Sequence, residues 1–137
     1  TAKQLTKEGI KVSYFVDSAM HESIKQADII MLGADAVTPR GVINKIGSAA
    51  IAEIAHVHKK PMYIITDSWK FYSKSLVIEQ RPKKEVWPKA SSLINLRNPA
   101  FEIIPKKHIS KIISELGIYS YITFIKEAKR ELKRAAS

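Results

Sequence analysis

The 137-residue sequence has no cysteine, only five glycines and no long apolar run. Without cysteine, the chain forms no disulfide, holds no thiolate zinc site and offers no thiol nucleophile of its own. No Walker A or G-x-G-x-x-G motif is present, so neither usual route to nucleotide binding is supported. No stretch reaches the roughly 18 apolar residues of a membrane span, and TAKQLTKEG does not resemble a secretion signal. We therefore expect a cytoplasmic protein without a membrane partner.

Acidic residues are scarce, and the net charge is +10. Residues 1–60 carry eight Lys/Arg against six Asp/Glu, whereas residues 61–137 carry fifteen against seven. Such an asymmetry can indicate an anionic partner, either nucleic acid or a phosphorylated ligand. A solvated lysine-rich surface accounts for most of these charges. Nucleic acid ranks last among the partners, because the basic stretch KKEVWPK offers one tryptophan for base stacking.

The apolar content of 45% suits the core of one domain over residues 1–137. Apolar runs alternate with segments of helical period, which predicts an α/β fold with an open, mainly parallel sheet flanked by helices. Residues 73–97, which include RPKKEVWPKAS, predict a surface excursion. We predict strands at 10–16, 29–32, 61–66 and within 96–104, and helices at 1–8, 19–26, 44–60, 105–116 and 120–135.

Three aspartates follow predicted strands: Asp17 in FVD, Asp35 in LGAD and Asp67 in IITD. Ligands of open α/β sheets bind beyond the carboxyl ends of the strands, where these carboxylates would meet. A helix cap is a sufficient role for Asp17, since Ser18 and a short helix follow it. Asp35 precedes the next predicted helix by about nine residues. It cannot cap that helix and is therefore the stronger functional candidate.

Asn44 and Lys45 lie where the helix at 44–60 is predicted to begin. Free amides and the positive end of the helix dipole favour an anion there, and a lysine adds a full charge. Alternatively, Asn44 caps the helix and Lys45 points to water, and the residues alone leave the two interpretations open. Lys70, in DSWKF, follows a strand end and could reach a phosphate, although a lone surface lysine is an ordinary feature.

The sequence predicts neither a metal site nor a cofactor. His56 and His58 are two residues apart on a helix and therefore face different directions. His21 and His108 have no partner at the spacing of a ligand pair. No GxSxG elbow of a serine hydrolase occurs.

The chain resembles a known superfamily through five motifs, which occur in the same order between about residue 10 and residue 117: FVDSAM, GADAV, GVINKIG, DSWKF and RNPAFEIIP. This superfamily joins the regulatory subunits of initiation factor 2B with ribose-1,5-bisphosphate and methylthioribose-1-phosphate isomerases. The resemblance implies a Rossmann-like C-terminal domain of a longer protein whose N-terminal helical part is absent. That agrees with the first predicted helix, which has no strand before it.

In the isomerases, an aspartate and a cysteine act as an acid/base pair while the sugar opens and its carbonyl shifts. The resemblance implies the aspartate role for Asp35 and substrate binding for Asn44, Lys45 and Lys70. It also implies a phosphorylated sugar or nucleotide as ligand, and dimers or larger homo-oligomers. Because the chain has no cysteine, we expect residues 1–137 alone to be inactive.

Several positions depart from the usual motifs: Ser48 replaces threonine, Asp67 replaces glutamate, and the loop from Asp35 to Asn44 is one residue shorter, with PRG for the usual asparagine–glycine. RNPAFE and the retained Asp35 favour the isomerase branch. The alternative is an archaeal-type regulatory subunit of an initiation factor 2B complex, which senses a nucleotide or sugar phosphate and binds initiation factor 2 subunits.

Overall fold

The computed structural model describes residues 1–74 and 76–135. Short 3-10 turns lie between several of its helices and strands. None of the described helices is long and apolar enough to cross a membrane. The helices are α1 (Ala2–Lys7), α2 (Met20–Gln26), α3 (Ser48–Val57) and α4 (Tyr121–Ala135); the strands are β1 (Ile30–Gly33), β2 (Ala36–Val37), β3 (Gly41–Lys45), β4 (Met62–Ile65), β5 (Phe101–Pro105), β6 (Lys111–Ser114) and β7 (Gly117–Tyr119).

The strands form two sheets. The main sheet has the order β1-β4-β6-β7, in which β1, β4 and β6 are parallel and β7 is antiparallel. The second sheet, β2-β3-β5, is antiparallel throughout. A parallel bridge from Val37 to Phe71 connects β2 to the segment that follows β4. The predicted α/β class with a mainly parallel sheet is confirmed, and the antiparallel sheet is an addition to it.

The core lies between the main sheet and the helices. Ile64 of β4, Ile112 of β6 and Phe124 of α4 are fully buried. Ala52 and Ala55 bury the inner face of α3, which allows its backbone to approach its neighbours closely. Full burial of an isoleucine or phenylalanine side chain contributes about 1.5–3 kcal/mol each, so these central residues fix how the helices pack on the sheet.

Two predicted elements are wrong. Residues 10–16 are not a strand: among the described residues, none of the amides of 11–15 makes a backbone hydrogen bond, and Tyr14 is 87% exposed. Residues 105–116 are not a helix but a 3-10 turn, β6 and the turn into β7. Parallel pairing of β6 with the buried strand β4, which sets Ile112 beside Ile64, outweighs the helical period read there.

The remaining predicted helices and strands are present with shifted ends. In the surface excursion predicted at 73–97, the described residues, which exclude Ser75, form no helix or strand beyond the 3-10 turn Lys83–Glu85.

Four histidines form two pairs around α3. His21 and His58 place their Nε2 atoms 3.1 Å apart, and the rings of His56 and His108 have centroids 4.8 Å apart. Sequence spacing could not reveal these pairs, because each joins α3 or its C-terminal end to a different element. The buried Nδ1 of His108 has no hydrogen-bond partner within the described part of the chain.

Burial, together with the neighbouring His56 and Lys107, lowers the pKa of His108 from its ordinary value, while Glu53 opposes the shift. The folded state therefore favours the neutral ring. Its contribution to the free energy of unfolding is complete above the ordinary value of about 6.5 and is lost as pH falls through the lower folded pKa.

We expect the melting temperature to decrease as the pH is lowered from about 7.5 to about 5. The decrease should be smaller in His108→Gln, because the glutamine side chain has no titrating group. Thermal denaturation of both proteins across this range measures the difference. Parallel decreases in the two proteins would contradict a role for His108.

Candidate functional site

Asp35 lies just beyond the carboxyl end of β1. Its backbone N–H donates to the carbonyl of Ile43 at 2.9 Å, and the N–H of Thr38 donates to Gly41 O at 3.0 Å. These bonds fold the chain back as the short hairpin β2–β3. The Asp35 side chain is exposed at the end of the main sheet where the parallel strands β1, β4 and β6 have their carboxyl ends. We call this end of the sheet the rim.

Lys70 meets the same loop from the other side. Its Nζ donates to the carbonyl oxygen of Ala34 at 2.7 Å, next to Asp35. The contact joins residues 36 positions apart in the chain, and it follows from β1 and β4 being parallel neighbours. The structure thus places the Lys70 ammonium group against the backbone of the loop that carries Asp35.

The 3-10 turn Ser68–Lys70, which carries Lys70, is fixed at both ends. Oδ1 of Asp67 accepts from the N–H of Lys70 at 3.2 Å, so Asp67 caps this turn. The N–H of Ser68 donates to both carboxylate oxygens of Glu115, at 3.0 and 3.1 Å. Burial acts to raise the pKa of Glu115, but hydrogen bonds with Ser68 and with the backbone of Glu115 itself together outweigh burial and hold the pKa below its ordinary value. Glu115 therefore stays ionised as an anchor.

Asn44 and Lys45 lie at the end of β3, and α3 begins at Ser48, four residues later than predicted. Pairing on both sides explains the difference, because β3 lies between β2 and β5. Nδ2 of Asn44 donates to Ser48 Oγ at 3.0 Å, and Ser48 Oγ donates to Lys45 O at 2.7 Å. Gly47, with φ of 101°, adopts the left-handed conformation that lets the chain enter the helix.

A side chain already occupies the first turn of α3. Oε1 of Glu102, on β5, accepts from the N–H of Ala49 at 2.8 Å. This carboxylate supplies the negative charge that a helix N-terminus favours. The sequence predicted that amides at the start of this helix are free to bind an anion. At the Ala49 amide, an external anion would have to displace the Glu102 carboxylate. Sequence reasoning missed Glu102, whose role depends on the pairing of Asn44 with Glu102 across β3 and β5.

A groove of about 260 Å³ opens beside Asp35, and Ala36, Ile43 and Phe101 also line it. The Lys45 Nζ lies 5.6 Å from the centroid of the Phe101 ring, within reach of a cation–π interaction. The structure thus brings Lys70 to the loop of Asp35, and Lys45 to Phe101 in the groove that adjoins Asp35. The Asn44 amide instead donates to Ser48 at the start of α3. In the described chain, no three His, Cys, Asp or Glu side chains gather as a metal site would require.

Residues 1–121 match the Initiation factor 2 subunit family. The chain belongs to this family. The predicted resemblance is confirmed at that level, and the match includes both the loop of Asp35 and the turn of Lys70.

Relatives within the Initiation factor 2 subunit family include named isomerases. The ribose 1,5-bisphosphate isomerase of Methanocaldococcus jannaschii is 41% identical over 126 residues, which cover 86% of this chain and 41% of that protein. The methylthioribose-1-phosphate isomerase of Trichoplax adhaerens is 39% identical over 131 residues, 88% of this chain and 36% of that protein. The chain therefore spans about two fifths of the length of these relatives.

Solved structures agree on the fold. Translation initiation factor eIF-2B, subunit delta, from A. fulgidus superposes with a TM-score of 0.74 at 26% identity, over 90% of this chain and 41% of that one. The 5-methylthioribose 1-phosphate isomerase from Pyrococcus horikoshii OT3 gives a TM-score of 0.76 at 24% identity, over 94% and 40%. One architecture thus occurs under both names.

Replacement of Glu102 tests the occupied helix start. We expect Glu102→Ala to lower the free energy of unfolding by about 1 kcal/mol, because the Ala49 amide loses its capping acceptor. Chemical denaturation provides the measurement, with Glu53→Ala at an exposed position of α3 as the control. Equal effects of the two substitutions would show that Glu102 does not cap α3.

Proposed function

We propose that this chain is the C-terminal half of a sugar-phosphate isomerase, in which Asp35 is the acid/base group. The observation that carries the proposal is the hydrogen bond from Lys70 Nζ to the carbonyl of Ala34, which sets a cation beside the loop of Asp35. The isomerases to which the chain is similar support the reaction class.

Aldose–ketose isomerisation moves a carbonyl between adjacent carbons. One proton leaves a carbon or hydroxyl and another arrives at the neighbouring position, so two groups must flank the substrate. Asp35 supplies one of these groups. The other group comes from outside residues 1–137, in accordance with the cysteine role implied by the resemblance and the absence of cysteine here.

The surroundings of Asp35 also indicate a site that is completed from outside. Its side chain is exposed, whereas a carboxyl that donates a proton near neutral pH needs a drier environment that raises its pKa. The adjoining groove of about 260 Å³ is below the roughly 300–1,000 Å³ of typical ligand pockets. The proposed remainder of the protein covers Asp35 and enlarges this groove.

The other candidate residues suit a phosphorylated sugar. Lys70 at the loop of Asp35 and Lys45 beside Phe101 of the adjoining groove offer ammonium groups for phosphate, which would fix the register of the substrate. Asn44 uses its Nδ2 on Ser48, so its Oδ1 remains to accept a hydrogen bond from a sugar hydroxyl. Self-association and a cytoplasmic location stay predictions.

Substitution of Asp35 tests the catalytic role in the longer protein that carries this chain. We expect Asp35→Asn to lower kcat by about 10²- to 10⁴-fold, because the amide cannot transfer the proton, and to change KM little. The control is Asp28→Asn, an exposed aspartate in the loop before β1. Turnover of ribose 1,5-bisphosphate at the parent rate by the Asp35 variant would reject the assignment.

Substitution of Lys70 tests phosphate binding separately. We expect Lys70→Gln to raise KM by about 10- to 100-fold, the loss of one hydrogen bond to a charged group, with a smaller change in kcat. The control is Lys111→Gln, which removes an equal charge at the amino end of β6, the end of the strand away from the rim. Equal KM values for both variants would show that Lys70 does not bind substrate.

The second candidate is a regulatory subunit that senses a nucleotide or sugar phosphate. It is favoured by the structural match to translation initiation factor eIF-2B, subunit delta. Co-purification of initiation factor 2 subunits with the longer protein, without turnover of a sugar phosphate, would favour the regulator. Turnover without these subunits would favour the isomerase.

A further inference from the structure

A pair of histidines joins the start of α2 to the end of α3. His21 is the second residue of α2, and His58 is the residue that directly follows α3. Their Nε2 atoms lie 3.1 Å apart, and their ring centroids lie 4.9 Å apart. His21 is exposed and His58 is half-buried, so ions in solution can reach the pair. Neither histidine belongs to the candidate site at the rim.

The two nitrogens can share a hydrogen bond or bind one cation, and the ring positions bear on which arrangement they suit. The centre of an imidazole ring lies about 1.2 Å from Nε2, so a straight N–H···N bond of 3.1 Å would set the centroids about 5.4 Å apart. The observed separation of 4.9 Å is shorter. The rings are therefore inclined to the line that joins the two Nε2 atoms, which weakens a direct hydrogen bond.

This inclination matches the geometry of two ligands on one metal ion. Rings inclined equally and to the same side direct their Nε2 lone pairs at a point about 2.0 Å from each nitrogen, which is the length of a zinc–imidazole bond. The angle between the two bonds at that point is about 100°, close to the tetrahedral angle that zinc prefers. One ion thus fits both measured separations.

The surroundings of the pair decide the kind of ion. His58 lies at the C-terminal end of the ten-residue helix α3, where the negative end of the helix dipole favours a cation. Imidazole nitrogens suit zinc, copper and nickel ions, whereas magnesium and calcium prefer oxygen ligands. Lys25, one helical turn after His21, and Lys59, directly after His58, add positive charge that opposes binding. The pair therefore suits a transition-metal ion that is held reversibly.

Two protein ligands define the strength of such a site. A resident metal centre has three or four protein ligands, and no group of that size occurs among the described residues. An ion held by two imidazoles completes its coordination with water and exchanges with the solution. Such an ion is a ligand of the folded state and not a permanent part of it.

We propose that His21 and His58 form a reversible binding site for a divalent transition-metal ion, with zinc as the ion to test. The bound ion would fasten the first turn of α2 to the C-terminal end of α3 and stabilise their packing. The start of α3, which lies next to Asn44 and Lys45, is about 15 Å from its other end. The ion therefore takes no part in the reaction proposed at the rim, and the inference holds whether or not the protein is an isomerase.

Titration with zinc chloride tests the site in the longer protein that carries this chain. We expect calorimetry to show one more bound zinc ion in the parent protein than in the double variant His21→Gln/His58→Gln. Each single variant should weaken this binding by about tenfold or more, because it leaves one imidazole ligand. The control is His56→Gln, which replaces a histidine of α3 that contacts His108 instead of this pair.

Thermal denaturation supplies a second measurement. Because an ion that binds only the folded state stabilises it, zinc should raise the melting temperature of the parent and of His56→Gln more than that of the double variant. Addition of EDTA should remove the difference. His21 is exposed, so His21→Gln alone tests the site even where replacement of the half-buried His58 disturbs folding.

Each outcome decides the proposal. Loss of one zinc ion in the double variant, with binding unchanged in His56→Gln, supports the site. Equal zinc binding by the parent and the double variant would show that the pair is a hydrogen bond only, and an equal loss in His56→Gln would show nonspecific binding to surface histidines. Either of these two results overturns the proposal.

Discussion

The pairing of β4 with β1 on one side and β6 on the other is the constraint on which the rest of the structure depends. Ile64 of β4 is fully buried, as expected for a strand with neighbours on both edges. Parallel strands end at the same edge of a sheet, so the segments that follow β1, β4 and β6 meet there. Lys70 after β4 reaches Ala34 after β1, and Glu115 after β6 holds Ser68 after β4. Hydrogen bonds at the rim thus join the three segments that follow β1, β4 and β6.

This constraint explains which parts of the site the sequence could predict. The positions of Asp35 and Lys70 could be predicted because each residue follows an apolar run that reads as a strand, and ligands of open α/β sheets bind beyond the carboxyl ends of the strands. The location of Asn44 and Lys45 depends instead on pairing between β3 and β5, about 60 residues away in the chain. No local pattern in GVINK reveals a partner at that distance, so the residues resembled the start of the alanine-rich helix that follows.

The segment 10–16 shows a different limit of sequence reasoning. Its β-branched and aromatic residues have a strand composition, yet β propensity measures how well side chains pack on a pleated surface between neighbours. Without a neighbour among the described residues, the segment forms no strand. The helix wrongly predicted at 105–116 is the reverse case, because a helical period gave way to the available edge of β4. In both cases, the secondary structure depended on whether a partner strand was available.

The exposed position of Asp35 bears on how one family can include both isomerases and proteins named as translation factors. A phosphate group can be held by lysines at an open rim, because a charge-assisted contact does not require a dry site. Proton transfer is more demanding, since a carboxyl donates a proton near neutral pH only where its surroundings, such as a dry pocket or a second carboxylate, raise its pKa. The segments that cover the rim would therefore determine whether Asp35 acts as an acid. On this view, a regulator and an isomerase can share the surface described here and differ in what closes over it.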